Sequence, residues 1–277
     1  MYMQTVKWPE GRKCAAMVTV NLDAEFFWLE LDPACVNMPK TLSMGQYGMT
    51  RGLGRLLEAF EKRGIKATFF VPGKTAELYG EQMREIAAAG HEIACRGYAC
   101  ENLALLPPEE QRELIARGAQ AVEKSCGVKP AGFRAPNGEI TLETLRIVRD
   151  LGMSYSSCLS DDDRPYYKDL GDGRLLEIPA HWAMYDLPYF AFNYNPAFPA
   201  GQGRIANYSG VLSNWKDEFY GYHRCGLCYV LQLDPQTAGN PGRIGIVEEL
   251  LDYMEELGGT WFATGSQMLD WFGSGEN

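Results

Sequence analysis

Short apolar runs alternate with amphipathic stretches along most of this chain. Residues 15–22 are rich in valine and predict a buried strand. Residues 50–63 place Leu53, Leu56, Leu57 and Phe60 at the i, i+3, i+4, i+7 spacing of a helix with one buried side, and Gly64 closes it. A second strand is predicted at 67–71, a second helix at 76–89 ending at Gly90, and a third strand at 92–95. Pro107 and Pro108 open a helix that runs to about Ser125. The alternation continues with strands at 132–134, 154–157, 175–178, 227–233 and 261–263. Helices are expected at 142–151, 211–221 and 242–257, and one more closes the chain. Repeated βα units imply a mainly parallel sheet, and about seven of them suggest an α/β barrel. There is no internal repeat and no low-complexity linker, so one domain over residues 1–277 is expected. Residues 186–208 carry aromatic, Asn, Pro and Gly residues without periodicity and predict a long loop that covers a site or an oligomer contact.

Charge narrows the partners. Lys plus Arg number 26 and Asp plus Glu 36, a formal net charge of −10. Such a surface repels phosphate backbones and anionic lipid, so neither nucleic acid nor membrane is expected as a partner. The first residues lack a basic stretch followed by an apolar core, and no apolar run approaches bilayer length. The expectation is a soluble, cytoplasmic protein. The eight cysteines then read as free thiols. Cys225 and Cys228 have C-x-x-C spacing, but no second pair follows and Cys228 leads into an apolar strand, so they read as core rather than as a metal or redox pair.

In βα barrels, functional side chains cluster just past the C-terminal ends of strands. Asn21 and Asp23 end the first predicted strand, Arg96 and Cys100 follow the third, Arg134 and Pro136 follow Gly132-Phe133, and Asp234-Pro235 follow Leu233. Several further stretches accompany them: Ala67-Thr-Phe-Phe-Val-Pro-Gly73, Ala89-Gly-His-Glu-Ile-Ala94, Gly132-Phe-Arg-Ala-Pro136, residues 156–166, Glu177-Ile-Pro-Ala-His-Trp182 and Asp186-Leu-Pro188. Taken in this order and at these spacings, they make the chain resemble the polysaccharide deacetylase family, which shares the NodB-homology domain. Within it, the resemblance is to the cytoplasmic peptidoglycan-deacetylase-like and allantoinase-like branch, over about residues 6–272. The resemblance implies a distorted (β/α) barrel. It also implies a divalent-metal hydrolase of carbon–nitrogen bonds, acting on N-acetylated sugars or related amides.

Carried over position by position, the family's general base falls on Asn21 and its metal-binding aspartate on Asp23. The two histidines of its H-x-x-x-H motif fall on Arg96 and Cys100, and its general-acid histidine falls on Asp234. Only Asp23 keeps the family's residue. An amide cannot take a proton from water near neutral pH. A guanidinium has no free lone pair for a metal, and at about 4–5 Å with an effective dielectric of ~20 it repels a divalent cation by a few kcal/mol. Asp23 and Cys100 are two ligands where a catalytic zinc usually has three. Asp234 is expected to be ionised, hence a poor acid, unless its pKa is raised. The expectation is therefore no cofactor, the alternative being zinc on Asp23 and Cys100 in a rearranged site. Arg96 is expected to replace the metal's charge by pairing with Asp23, Asp234 or both.

Arg134, which the family uses to orient the base, is left with Asn21 or a bound ligand as its partner. Binding is expected from Trp28, Arg96, His181, Trp182, Tyr185 and Asp186. Cys100 reads either as a buried thiol or as a nucleophile activated by Arg96, with His181 or His223 as its base. His91 reads as structural, His223 as a surface or helix-end residue, and Asp161 to Asp163 as a solvated turn. Gly52-x-Gly54 lies within a helical pattern and is no phosphate loop. Two functions remain. One is a deacetylase-like hydrolase whose metal-dependent site is degenerate, leaving it inactive or altered in chemistry. The other is a non-catalytic module binding a carbohydrate, a small amide or a protein partner, and a homo-oligomer is compatible with both. An open cleft lined by Trp28, Arg134, His181, Trp182 and Tyr185 would favour binding, whereas a mouth filled by Arg96 would mark a dead site.

Overall fold

A computed structural model describes residues 6–136, 138–200 and 205–275. The longest central strand, β1 (Cys14–Asn21), is buried along its whole length. Side chains alternate along a strand, so Ala16, Val18 and Val20 face the outer helices while Ala15 and Met17 face inward. Thr19 and Asn21 continue that inner face. Around β1 stand β2 (Thr68–Val71), β3 (Glu92–Cys95), β4 (Gly132–Phe133), β5 (Tyr155–Ser156), β6 (Tyr166–Asp169) and β7 (Arg174–Glu177). A short hairpin, β8 (Asn193–Tyr194) and β9 (Ala197–Phe198), is separate, and β10 (Cys228–Leu233) and β11 (Thr260–Phe262) complete the set. The main sheet runs β10-β1-β2-β3-β4-β5-β7-β6, with β11 paired to the start of β1. Every pair is parallel except β6–β7. The ladder does not close on itself. Its gap is spanned by an isolated parallel bridge between Tyr185 and Gln232, beside which Asp186 N–H donates to the Gln232 carbonyl at 3.1 Å.

The inner face grades from apolar to polar along the strands. Met17, Phe70, Ala94, Tyr155, Leu176 and Val230 fill its lower part. At the base Tyr155 OH donates to Glu92 at 2.9 Å. Its ring lies so close to Gly132 and Gly265 that a Cβ on either would stand 1.9 or 2.3 Å from the ring carbon Cζ. At the C-terminal end the same alternation delivers Thr19, Asn21, Gln232 and Asp234, all buried.

The helices are α1 (Phe26–Leu31), α2 (Pro39–Tyr47), α3 (Leu53–Glu61), α4 (Gly73–Leu78), α5 (Gly80–Ala88), α6 (Pro108–Cys126), α7 (Leu142–Asp150), α8 (Leu187–Phe190), α9 (Tyr208–Cys225), α10 (Ile244–Glu256) and α11 (Gly265–Ser274). Among the described residues none is long and apolar enough to cross a membrane. Four features depart from the sequence expectations. The helix expected at 50–63 is the end of a longer helical stretch, in which a π-helical turn at Gly48–Gly52 joins α2 to α3. The helix expected at 76–89 is broken into α4 and α5. Strand β6 was not anticipated, because its residues are half-buried or exposed and give no apolar run. The expected loop at 186–208 contains α8 and the β8–β9 hairpin. Much of its apolar content is buried within the chain, with Phe198 edge-on to Phe27 and Trp28, while Tyr194 stays exposed.

Candidate functional site

The C-terminal ends of β1, β3, β4 and β10 converge on a buried polar cluster. Arg96 forks onto Asp23: Nε donates to Oδ1 at 2.7 Å and Nη2 to Oδ2 at 2.9 Å. Its other contacts are the Ala135 carbonyl at 2.6 Å and the Pro136 carbonyl at 2.7 Å. Both partners are essentially inaccessible. Burial works against the Arg96 charge, but the Asp23 carboxylate outweighs it and holds the guanidinium above its ordinary pKa. Cys100 Sγ lies 3.4 Å from Asp23 Oδ1. Burial first, and then Asp23, push this thiol well above its ordinary range despite Arg96. That corrects the reading of Cys100 as an activated nucleophile. Nor is a histidine base placed for it: His223 bonds the Gly258 carbonyl at the end of α9, buried rather than at the surface, and His181 faces Asp163.

Arg134 lies on the other side of Asn21. Its Nη1 donates to Thr19 Oγ1 at 2.7 Å and to Asn21 Oδ1 at 3.2 Å. Nε and Nη2 donate to the Ser157 carbonyl and hydroxyl, and the guanidinium stacks 4.0 Å from the Phe70 ring centroid. Burial and then the Arg96 charge lower its pKa. The Asn21 Nδ2 and Tyr185 hydroxyl are buried without a hydrogen-bond partner among the described residues. Asn21, Arg96, Arg134 and Tyr185 line one cavity of about 140 Å³.

Asp234 is buried, and its carboxylate accepts the backbone N–H of Gln236 at 3.0 Å and the Gln236 side-chain amide at 3.1 Å. Burial first, then Asp186 and Asp23, raise it well above the carboxylate range. The sequence expectation allowed for this case: Asp234 is a poor acid unless its pKa is raised, and burial raises it. Arg96 forms no ion pair with it among the described residues. Asp186, expected to bind ligand, is wholly buried and occupied within the chain. It accepts the Asp234 N–H at 3.0 Å and the Thr237 hydroxyl at 2.5 Å, and burial raises it to about 7.

The remaining expected binding residues are dispersed. Trp28 lines a different cavity of about 380 Å³ and reaches Asp234 only through Gln236, to whose Oε1 its indole N–H donates at 2.8 Å. His181 Nε2 stands 3.4 Å from Asp163, and Trp182 is 72% exposed. The expected single cleft lined by Trp28, Arg134, His181, Trp182 and Tyr185 is thus not formed, because the chain between β7 and α8 turns His181 and Trp182 away from the strand ends.

Local backbone explains how the cluster is held. Ala24 and Cys100, flanking Asp23 and Arg96, both have left-handed backbone (φ 51° and 67°), a strained conformation that the surroundings must stabilise. Glu101 fixes the loop after β3 by accepting the N–H groups of Tyr98 and Ala99. Gly45, Gly48 and Gly52 let α2 and its π-turn touch backbone at Ala24–Glu25, Gln236 and Pro235, where a Cβ would meet atoms at 2.3, 2.8 and 2.0 Å. Sequence reasoning gave no role to Thr19, Ser157, Gln232, Gln236 or Thr237. The period-two pattern of β1 and β10 carried the signal for Thr19 and Gln232, whereas nothing local marked Thr237 as the partner of Asp186.

A divalent metal of the kind the resemblance implies does not fit these residues. Both Asp23 oxygens are occupied by Arg96, a guanidinium cannot ligate, and Cys100 is held as a thiol. Among the described residues no group of three or more His, Cys, Asp or Glu is arranged to hold a metal ion.

The sequence profile of the polysaccharide deacetylases matches residues 46–156. A Mycobacterium smegmatis crystal structure assigned to the polysaccharide deacetylases superposes with a TM-score of 0.93. It is 34% identical over 98% of this chain and 94% of its own. The peptidoglycan deacetylase-like protein FGM2 of Gibberella zeae is 28% identical over 90% of this chain and 83% of its own length. The Helicobacter pylori peptidoglycan deacetylase is 25% identical over 91% and 94%.

Proposed function

Because this chain belongs to the polysaccharide deacetylase (NodB-homology) family, we propose that it keeps the family's scaffold without its metal-dependent hydrolysis, and that the old site now binds a carbohydrate or small amide-like ligand. One observation carries this reading: the Arg96 guanidinium occupies both oxygens of Asp23, the position that the resemblance assigns to the metal-binding aspartate. Asn21 at the base position cannot accept a proton from water, and Arg134 orients an amide where the family orients a carboxylate. Asp234, whose pKa burial raises, stands at the position of the family's general acid. Acid catalysis without an activated water does not open an amide at useful rates. The free state of all eight cysteines is compatible with a reducing compartment, and cytoplasmic placement belongs to the same proposal.

The test loads the purified protein with zinc, cobalt or nickel, removes the excess, and measures bound metal together with acetate release from an N-acetylated oligosaccharide. The expected result is far less than one metal per chain and no release above buffer. The double variant Arg96→His with Cys100→His supplies two imidazoles beside Asp23, a three-ligand set of catalytic type, and should retain close to one zinc. Stoichiometric metal in the unaltered protein would sink the reading.

The second reading, a purely binding module, is favoured by the cavity beside Arg134 and Tyr185. Its wall is largely polar, and Arg96 lines it without filling it. Carbohydrate as the ligand class rests on the family, and self-association remains compatible with the exposed Trp182 and Tyr194.

A further inference from the structure

Arg134 is a buried charge without a counter-charge. Its recorded hydrogen-bond partners are the neutral Thr19 hydroxyl, Asn21 amide oxygen and Ser157 carbonyl and hydroxyl. No ion pair to it exists among the described residues. Arg96 cannot help, since it is itself positive, and its own partner Asp23 is used up by a bidentate fork. An unpaired buried charge is costly, by several kcal/mol per ion even after relaxation. A chain that keeps one beside a cavity leaves an electrostatic vacancy that a small anion would fill.

The cavity wall supports the same conclusion. Besides the two guanidiniums it includes the side chains of Asn21 and Tyr185. The Asn21 amide nitrogen and the Tyr185 hydroxyl are buried and lack a hydrogen-bond partner among the described residues. Buried donors of this kind are normally satisfied. The rest of the wall includes Ala135, Pro136, Ile140 and Ala180, which suit a short apolar tail, with the exposed Glu139 at the rim. The volume of about 140 Å³ corresponds to about four or five waters at ~30 Å³ each, enough for a carboxylate and a few more heavy atoms.

We propose that this cavity binds the carboxylate group of a small ligand, which supplies to Arg134 the negative charge that Asn21 does not. The proposal deepens the binding reading above and rests on it. A monoanion matches the single uncompensated charge, while the Asp23 carboxylate behind Arg96 and Glu139 on the cavity wall disfavour a more highly charged phosphate. The carboxylate could belong to a free short-chain acid or to an acidic sugar.

The test titrates the protein, stripped with phenanthroline, with acetate, propionate, glucuronate and the neutral isostere acetamide at constant ionic strength, following heat of binding and thermal midpoint. Saturable binding of a carboxylate, with acetamide at least about tenfold weaker, is the expected result. Preference for acetate and propionate identifies a free acid, and preference for glucuronate an acidic sugar. Asn21→Asp places a carboxylate beside Arg134 within the chain. That variant should lose at least about tenfold in carboxylate affinity and should melt no lower than the unaltered protein in carboxylate-free buffer. Equal binding of acetamide, undiminished binding by Asn21→Asp, or no saturable binding of any carboxylate would overturn the proposal. Metal content separates the two readings. Carboxylate binding that requires a retained metal defeats the metal-free function as well. Absence of both metal and carboxylate binding defeats this inference alone.

Discussion

At the scale of single residues, the pair Asp23–Arg96 replaces one form of charge compensation with another. A buried carboxylate needs a cation, and a guanidinium meets it with two parallel hydrogen bonds. Removing one partner strands the other, so Arg96→Met should lower stability by about 3–5 kcal/mol. The double variant Asp23→Leu with Arg96→Met should recover most of that loss, because an apolar pair of similar volume carries no desolvation penalty. Chemical denaturation of the three proteins checks this. A single variant as stable as the parent would mean that Asp23 finds another cation. This pair could be anticipated because the resemblance assigns both positions to one metal site, and the structure chose Asp23 over Asp234 as the Arg96 partner. The raised pKa of Asp234 was hidden, since it depends on burial beside Asp186 and Asp23, which no local pattern encodes.

At the scale of elements, β1 and the helical stretch opposite it set the site. Strand β1 was legible almost to the residue, since an apolar run with period-two alternation admits few alternatives, and β3 likewise. The α2–π-turn–α3 stretch was not, because its glycines look like helix breakers when their contacts are unknown. Two of them make opposite predictions. A Cβ on Gly52 would stand 2.0 Å from the Pro235 carbonyl oxygen, whereas one on Gly54 meets nothing within 4 Å. Gly52→Ala should therefore destabilise by about 1–3 kcal/mol or more through overpacking and displace the loop carrying Asp234. Gly54→Ala, inside α3, should stabilise by about 0.4–1 kcal/mol by restricting the unfolded chain. Urea midpoints decide between them, and equal effects of the two changes would contradict the close approach.

At the scale of the whole molecule, buried titratable groups make stability depend on pH in opposing directions. Asp186 is raised from 3.8 to about 7 in the fold, so the native state holds a proton that the unfolded chain has released. Its contribution to stability falls as pH rises from about 4 to about 7. His91, whose Nδ1 accepts the Ala67 N–H at 3.0 Å, is lowered by burial and then Lys66 from 6.5 to about 4. Its contribution is lost as pH falls through that interval. Asp186→Asn should therefore gain stability relative to the parent as pH rises from about 5 to about 8. A difference independent of pH would show that Asp186 is ionised throughout. The alternation of strands and helices, the family scaffold and the residue types at the motif positions were all determined by the sequence alone, because periodicity and side-chain chemistry are properties of the residues themselves. Only the tertiary structure decided the rest: that Trp28, His181 and Trp182 stand apart from Arg134, that Asp186 is a buried support, and that Arg134 lies beside a cavity without a counter-charge. Those outcomes depend on which distant segments exclude water from one another, and burial of that kind arises only when the chain closes around the strand ends.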